Sequence, residues 1–226
     1  MSESILSPAF LFRFSTSCQR AAELWPARGA EPLGEDHRVP SFAELEGRRS
    51  FADLRMGWNE EGLGFELNVT GKSQAAWCRD SRVEDSDGLN VWIDTRDTHN
   101  VHRANRFCHR FVFLPAGGGP RSEQPVGVML PINRARELCK PIEPKVLRVT
   151  ASKIAGGYAL RCFVPTVALT GYDPIENPKL GFTYAVVDRE LGWQTFSVGP
   201  EFPFAEDPSL WGTLELRKMR DDGGAG

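Results

Sequence analysis

The densest group of potential metal ligands in the chain lies in the segment THNVHRANRFCHRF, residues 98–111. His99, His102 and His109 are three of the 4 histidines, and Cys108 lies beside them. Imidazole and thiolate are the usual ligands of zinc. The spacing matches no established zinc motif, and Cys108 and His109 would point to opposite faces of a strand. A zinc site on the three histidines is therefore an alternative to test, and it would indicate a metal-dependent enzyme or a redox domain.

Four aspartates near the same segment are candidate calcium ligands, because carboxylates and loop carbonyls suit this hard ion. They are Asp85, Asp87, Asp94 and Asp97. The run DSDG superficially resembles a calcium loop, but its glycine comes too early and Arg96 stands where a bidentate glutamate would be needed. We expect solvated turn carboxylates and no cofactor, with calcium or zinc as the alternative.

Catalytic motifs have little support. The chain has no Gly-x-Ser-x-Gly elbow, and GGGP at residues 117–120 is not followed by the lysine and hydroxyl residue of a phosphate loop. The five cysteines are an odd number without paired spacing, which predicts reduced thiols rather than a disulfide framework. We therefore expect no catalytic residues and no enzyme activity.

Aromatic and planar polar side chains form the second candidate group. Asn90, Trp92 and Asp94 alternate along the run DGLNVWID and would share one face of a strand, where Arg110 on a neighbouring strand could reach them. Flat rings beside planar polar groups suit a sugar or similar polyol, because its C–H face is apolar and its rim carries hydroxyls.

Tryptophans outside that strand divide into two predicted classes. Trp77 and Trp193 lie in loops and would close the two ends of such a platform. Trp58 and Trp211 are expected in the core, where large aromatic side chains of β-sandwiches usually lie.

The composition and charge of the chain exclude some classes of binding partner. The chain has 226 residues, 41% of them hydrophobic and 25% charged, and this is typical of one globular domain. A net charge of -3 provides no basic field for nucleic acid. No apolar run has membrane-spanning length, and the start MSESILSPAFLFRF lacks the features of a signal peptide, so a cytoplasmic protein is expected.

Short strands separated by turns dominate the pattern. The clearest hairpin is ADLRMGW, a turn NEEG, and LGFELNV, and a second joins VLRVTASKI to YALRCFVP through AGG. Further strands are predicted for AFLFRFS, DGLNVWID, RFVFLP, VGVMLPI, LGFTYAVVD and WGTLELRK. Helical possibilities are limited to residues 20–25 and 42–45. The fold class is therefore all-β, an antiparallel β-sandwich of jelly-roll or immunoglobulin-like type.

The expected organisation is one domain over residues 1–218 and a flexible tail over 219–226. Residues 15–49, which are rich in proline and glycine, are predicted to form an irregular covering segment.

The order of these motifs, from ADLRMGWNEEGLGFELNV to WGTLEL, resembles that of family-nine carbohydrate-binding modules and the related DOMON-type sandwiches. The resemblance spans residues 51–216 and implies their β-sandwich fold. It also implies a sugar site, where Asn90 stands in place of a sugar-binding glutamate and Arg110 matches a sugar-binding arginine. Trp77 and Trp193 are the nearest equivalents of two tryptophans that enclose a sugar. Residues 1–49 are not explained by the resemblance.

The main expectation is a noncatalytic binding module for a carbohydrate or polyol, held by Trp77, Trp193 and the polar group around Asn90. The alternatives are a protein-interaction sandwich that has lost the sugar site, with an exposed apolar patch or open sheet edge, and the histidine metal site.

Overall fold

The computed structural model describes residues 11–25 and 32–218. Eleven strands form in this part of the chain. They are β1 (Ser15–Arg20), β2 (Ala52–Asn59), β3 (Gly62–Val69), β4 (Gly88–Asp94), β5 (Cys108–Gly118), β6 (Gln124–Leu130), β7 (Arg148–Ile154), β8 (Gly157–Pro165), β9 (Lys179–Asp188), β10 (Gly192–Thr195) and β11 (Gly212–Arg217).

The helices described are all short 3₁₀ segments of one or two turns. They are Glu35–His37, Phe42–Glu46, Asp80–Asp85, Pro144–Val146, Thr166–Ala168 and Pro208–Leu210. None of the helices in the described ranges is long and apolar enough to cross a membrane.

The strands form one sheet in the order β6-β5-β4-β9-β11-β1-β2-β3-β8-β7, with β10 added to β9. One apolar cluster contains side chains from both halves of this sheet, so the sheet folds over and packs against itself in two layers. The rings of Phe65 on β3 and Phe113 on β5 lie 6.5 Å apart across the interior. The strands at the two ends of the order, β6 and β7, also approach each other. The predicted all-β sandwich is confirmed.

The β2–β3 hairpin follows from period-two alternation. Leu54 pairs with Leu67 and Met56 with Phe65, as the sequence predicts, and all four side chains are buried in the same cluster. The connection is tighter than the predicted NEEG turn, because β2 ends at Asn59 and β3 begins at Gly62. The β7–β8 hairpin is also confirmed, and Gly156 adopts the left-handed conformation (φ 64°) that its two-residue turn requires.

The N-terminal expectation is wrong in its details. The first strand is Ser15–Arg20, not AFLFRFS; residues 9 and 10 of that motif lie outside the described residues, and 11–14 are not strand. The strand occupies the start of the segment predicted to be irregular, because it inserts between β11 and β2 and pairs in parallel with both. The sheet is therefore not wholly antiparallel.

Other local predictions have mixed outcomes. No helix forms at residues 20–25, whereas the 3₁₀ helix Phe42–Glu46 matches the second helical prediction. The strand β10 was not predicted from the sequence. The predicted tail, residues 219–226, lies outside the described residues.

A second apolar cluster covers the outer face of the β4, β5 and β9 layer. Trp92 projects from β4 and meets Phe204 edge-on, with 5.4 Å between ring centroids. Trp211 belongs to the same cluster, and its Nε1 donates a hydrogen bond to the backbone oxygen of Phe204 at 2.7 Å. Trp211 is therefore core, as predicted, but it packs outside the sheet rather than between the two layers.

Leu67→Ala should test the central packing. Leu67 is 1% exposed in the central cluster, so its loss should lower the free energy of unfolding by about 2–5 kcal/mol. Leu138→Ala is the matched control, because Leu138 is 63% exposed and its truncation should change stability by less than about 0.5 kcal/mol. Urea denaturation measures both, and equal effects would contradict the described core.

Candidate functional site

A buried group of charges lies at the end of the sheet where β4 begins and β9 ends. The ammonium of Lys72 binds the carboxylate of Asp188 and lies 3.3 Å from an oxygen of Asp87. The three side chains are at most 3% exposed. Burial acts to lower the pKa of Lys72, but the bonds to Asp188 and Asp87 outweigh it and raise the pKa above its ordinary value. We call Lys72, Asp87 and Asp188 the buried triad.

Asp87 connects this triad to two loops. One carboxylate oxygen accepts a hydrogen bond from the backbone N–H of Trp77 at 2.9 Å, and the other accepts from the backbone N–H of Arg189 at 2.9 Å. The backbone N–H of Asp87 also donates to the carbonyl of Trp77 at 2.8 Å. One carboxylate therefore fixes the backbone of the Trp77 loop relative to the turn after β9.

Glu190 also links the Trp77 loop to the turn after β9, from the solvent-exposed side. Its carboxylate accepts the backbone N–H groups of Ser73 at 2.8 Å and Gln74 at 3.0 Å. Hydrogen bonds from Ser73 and Gln74 lower the pKa of Glu190 to about 2, so the carboxylate stays ionised at neutral pH. The turn itself is closed by Asp188, which accepts from the N–H groups of Glu190 and Leu191.

Trp77 and Trp193 both lie at this end of the sheet. Trp193 is 42% exposed, and it lies on β10, where it pairs with Val187 of β9. Trp77 is half-buried, and the guanidinium carbons of Arg79 and Arg189 lie 5.2 and 4.4 Å from the centre of its ring system. The structure therefore places both tryptophans at one end of one layer. The expectation that they close the two ends of the platform is wrong, and Trp193 lies on a strand rather than in a loop.

Arg110 and Asn90 lie further along the same face. Arg110 donates to the side-chain oxygen of Asn90 at 3.1 Å and to the carboxylate of Glu84 at 2.6 Å. Its guanidinium carbon lies 5.2 Å from the centre of the Trp92 ring system. The predicted proximity of Asn90, Trp92 and Arg110 is confirmed, because Trp92 and Arg110 are directly paired on β4 and β5.

A cleft of about 470 Å³ opens next to Glu84, the ion-pair partner of Arg110. One wall is the 3₁₀ helix Asp80–Asp85, and the other contains Leu130, Pro131 and Asn133. Leu130 is the partner of Arg110 on β6, and Glu84 reaches from the helix to the guanidinium. This volume lies within the range of small-molecule sites.

Two predicted site residues have structural roles instead. Trp92 is 2% exposed, so it has no free face for stacking on a ligand; the loop that carries Phe204 covers it. Asp94 is also 2% exposed, and its carboxylate accepts the backbone N–H groups of Arg96 and Thr98 at 2.9 and 2.7 Å. Burial raises the pKa of Asp94, and the residue shapes the turn at the opposite end of β4.

The three histidines do not converge. His109 is buried, and its Nε2 accepts the backbone N–H of Thr170 at 2.9 Å. His99 lies against Asp97, whereas exposed His102 lies against Asp207. The proposed zinc site is therefore wrong in its geometry: within residues 11–25 and 32–218, no group of three potential ligands could hold a metal ion.

The four aspartates considered for calcium do not form one group, because Asp94 and Asp97 lie together at one end of β4, away from Asp85 and Asp87. Asp87 belongs to the buried triad, Asp85 pairs with Arg82 at 2.6 Å, and Asp94 lies at the other end of β4. The expectation that Asp87 is a solvated turn carboxylate is wrong, because it is 1% exposed. It shares its buried environment with Lys72 and with one further carboxylate, that of Asp188.

The five cysteines are free thiols. Burial raises the pKa of Cys78 and of Cys108 to about 12, and it also raises the pKa of Cys18 and of Cys162. A thiol with a raised pKa is a poor nucleophile at neutral pH.

Sequence reasoning missed several residues of this site. Lys72, Asp188 and Arg189 were not identified, because their contacts join positions that are distant in the chain. Glu84 lay in a loop without a recognisable motif. Only Asp188 could have been predicted from the sequence, because an aspartate at the end of a strand often caps the following turn.

Lys72→Met should show that the buried triad supports the fold at this end. The change leaves two buried carboxylates without their cation, so we expect a loss of about 3–5 kcal/mol in the free energy of unfolding. Lys153→Met is the matched control, because Lys153 is exposed and should change stability by less than about 0.5 kcal/mol. Chemical denaturation at neutral pH measures the free energy of unfolding of both variants. Equal stability of the two variants would contradict the described triad.

The burial of His109 predicts that the free energy of unfolding falls in acid. Burial lowers its pKa from 6.5 to about 4, so between these values the unfolded chain binds a proton that the folded protein does not. Stability is therefore full above pH 6.5 and falls as the pH drops toward 4, by about 3 kcal/mol in total. Denaturation across this range should show the fall, and His109→Phe should lack this component. An NMR titration of His109 near its ordinary pKa would refute the prediction.

Comparison with known proteins identifies the fold but no sequence family. No protein-family model matches the chain, and no curated protein matches its sequence. In structure it is similar to a family 9 carbohydrate-binding module from Caldicellulosiruptor kristjanssonii solved with glucose: TM-score 0.62, 11% identity, 94% of this chain and 100% of the module covered. The same kind of module from that organism, solved with cellotriose, gives 0.59 at 10% identity, covering 94% and 98%.

A third similar structure is a Bacteroides uniformis protein that is provisionally described as carbohydrate-binding. Its TM-score is 0.53 at 14% identity, and the alignment covers 91% of this chain and 100% of that one. The resemblance of the motif order to this class of sandwich is therefore confirmed at the level of structure. The chain shares its fold with family 9 carbohydrate-binding modules.

Proposed function

We propose that this domain is a noncatalytic carbohydrate-binding module whose ligand contacts Trp77 and Trp193. The observation that carries the proposal is the placement of these two tryptophans at one end of one layer, in a fold shared with modules solved with glucose and cellotriose. As part of the same proposal, the domain is related to DOMON-type sandwiches and the protein is cytoplasmic.

The chemistry of this surface fits a sugar. An indole ring offers a flat apolar face for the C–H groups of a pyranose, while nearby guanidinium groups donate to its hydroxyls. Trp193 supplies an exposed ring, and Arg79 and Arg189 supply donors beside Trp77. Because Asp87 and Glu190 hold the loops, little ordering is left for the ligand to bring about.

The carboxylates at this end support a binding role rather than hydrolysis. Asp87 and Asp188 are buried and bound to Lys72 and to backbone N–H groups. Glu190 is held ionised by hydrogen bonds that lower its pKa, whereas a general acid for glycoside cleavage needs a raised pKa. These groups organise the loops and leave no proton donor among themselves.

Trp193→Ala and Trp77→Ala should each weaken binding of the best glycan by about tenfold to a hundredfold, since stacking on one ring contributes about 1–3 kcal/mol. Phe107→Ala is the matched control: Phe107 is half-buried, with Arg96 and Arg106 over its ring at 4.7 and 5.0 Å. It lies at the opposite end of β5 and should leave affinity unchanged.

A glycan array identifies the ligand, and calorimetry then measures the three variants, with thermal denaturation to establish folding. Folded variants that all bind as tightly as the original protein would contradict the tryptophan surface. Absence of binding to every glycan would reject the proposed function and direct attention to a protein partner.

A further inference from the structure

The contact between Arg110 and Glu84 joins a buried cation to an exposed anion. The side chain of Arg110 is 10% exposed, whereas that of Glu84 is 60% exposed. A buried guanidinium without a negative partner is costly. Asn90 also accepts from Arg110, but its amide carries no charge. Among the described contacts of Arg110, Glu84 therefore provides the charge compensation, and it does so from the solvent side.

The segment that carries Glu84 is held by buried Ser86. The Ser86 hydroxyl accepts from the backbone N–H of Arg79 at 2.9 Å and donates to the carbonyl of Arg82 at 2.8 Å, while the side chains of the segment itself face solvent. The 3₁₀ helix Asp80–Asp85 has no buried residue, and its backbone departs from helical geometry at Arg82 (φ -140°, ψ 53°). Its ion pair between Arg82 and Asp85 is exposed on both sides. Because the Glu84 side chain is exposed, it can leave Arg110 by a change of its own rotamer, without movement of the sheet.

Arg110 retains further donor capacity. Its Nε is buried and has no hydrogen-bond acceptor among the residues that the structure describes. Glu84 also lines the cleft of about 470 Å³, whereas Arg110 does not, so a molecule in the cleft reaches the guanidinium only when the Glu84 carboxylate has moved away. An incoming carboxylate could bind there and keep the buried cation compensated.

We propose that the domain selects glycans that carry a carboxylate, and that Glu84 occupies the place of that carboxylate on Arg110 until a glycan displaces it. This inference rests on the proposed function and specifies the substrate class. A neutral hydroxyl cannot replace Glu84 on equal terms, because Arg110 would remain buried without an anion. A uronic acid residue in the cleft meets this requirement.

The charged side chains that line the cleft are Asp80, Glu84 and the pair of Arg82 with Asp85. The lining is therefore acidic, and only exchange on Arg110 compensates an incoming carboxylate. Displacement adds the charge of Glu84 to the solvent-facing rim. Neutralising that side chain should therefore favour the bound state.

The experiment compares two ligands that differ only in the carboxylate: cellotriose and the tri-glucuronate obtained by oxidising its primary hydroxyls. Calorimetry measures both with the full chain and with Glu84→Gln. We expect the original protein to prefer the tri-glucuronate. Glu84→Gln should bind it about tenfold more tightly and should change cellotriose affinity by less than about twofold.

Glu60→Gln is the matched control, because Glu60 is 53% exposed and pairs with Arg20 at 2.6 Å. It should change neither affinity. Glu84→Ala provides a second removal of the carboxylate, and thermal denaturation establishes that each variant is folded. If Glu84→Gln and Glu84→Ala both leave tri-glucuronate affinity unchanged or weaker, the exchange on Arg110 is refuted.

The two proposals fail in different ways. Binding of cellotriose that depends on Trp193, without preference for the tri-glucuronate, would overturn the carboxylate selection and leave the proposed function standing. Absence of binding to either ligand and to every glycan of the array would reject both.

Discussion

The bond between Lys72 and the carboxylates of Asp87 and Asp188 is the interaction on which this end of the molecule depends. Two buried carboxylates would repel each other and would lose their hydration without a cation between them. With Lys72 present, Asp87 can direct both oxygens toward backbone N–H groups, one of Trp77 and one of Arg189. A single buried carboxylate thereby sets the relative position of two loops that approach the site from different parts of the chain.

The two-layer sheet makes this arrangement possible. Pairing of β4 with β9 places Gly88 beside Val187, so the residues just before and after them, Asp87 and Asp188, meet at the same end. Gly88 is required there because a Cβ at this position would lie 2.3 Å from the carbonyl oxygen of Phe113. The close approach of β5 and the position of the triad are therefore set by the same few residues.

Polar side chains on the outer face of the same layer have two different roles. Toward the Trp77 end, Trp193 and the flanking arginines reach solvent. In the middle, Arg110 is buried above Trp92 and compensated by Glu84. A ligand that engages the first region meets exposed groups, whereas one that engages Arg110 must supply an anion. This difference in cost is the physical basis of the proposed selection for carboxylated glycans.

Sequence alternation was sufficient for elements whose partners are adjacent in the chain. The β2–β3 hairpin follows from Leu54, Met56, Phe65 and Leu67, and the shared face of Asn90 and Trp92 follows from the pleat. It was insufficient for β1, because a parallel strand depends on partners elsewhere in the chain.

Burial by loops was equally hidden from the sequence. The loop carrying Phe204 removes Trp92 from the surface, and no local pattern indicates that cover. The bond between Lys72 and Asp188 also joins residues that are far apart in sequence. The prediction that Asn90 and Arg110 are close is confirmed, but the role of Glu84 could not be derived because its loop has no periodicity.

The most direct measurement of the central claim is a glycan titration followed by the indole N–H resonances of the 6 tryptophans. The account predicts that the resonances of Trp77 and Trp193 shift together with one dissociation constant, while those of buried Trp58 and Trp211 stay unchanged. A glycan that binds without shifting either Trp77 or Trp193 would contradict the account, because binding would then occur away from the surface that the buried triad organises.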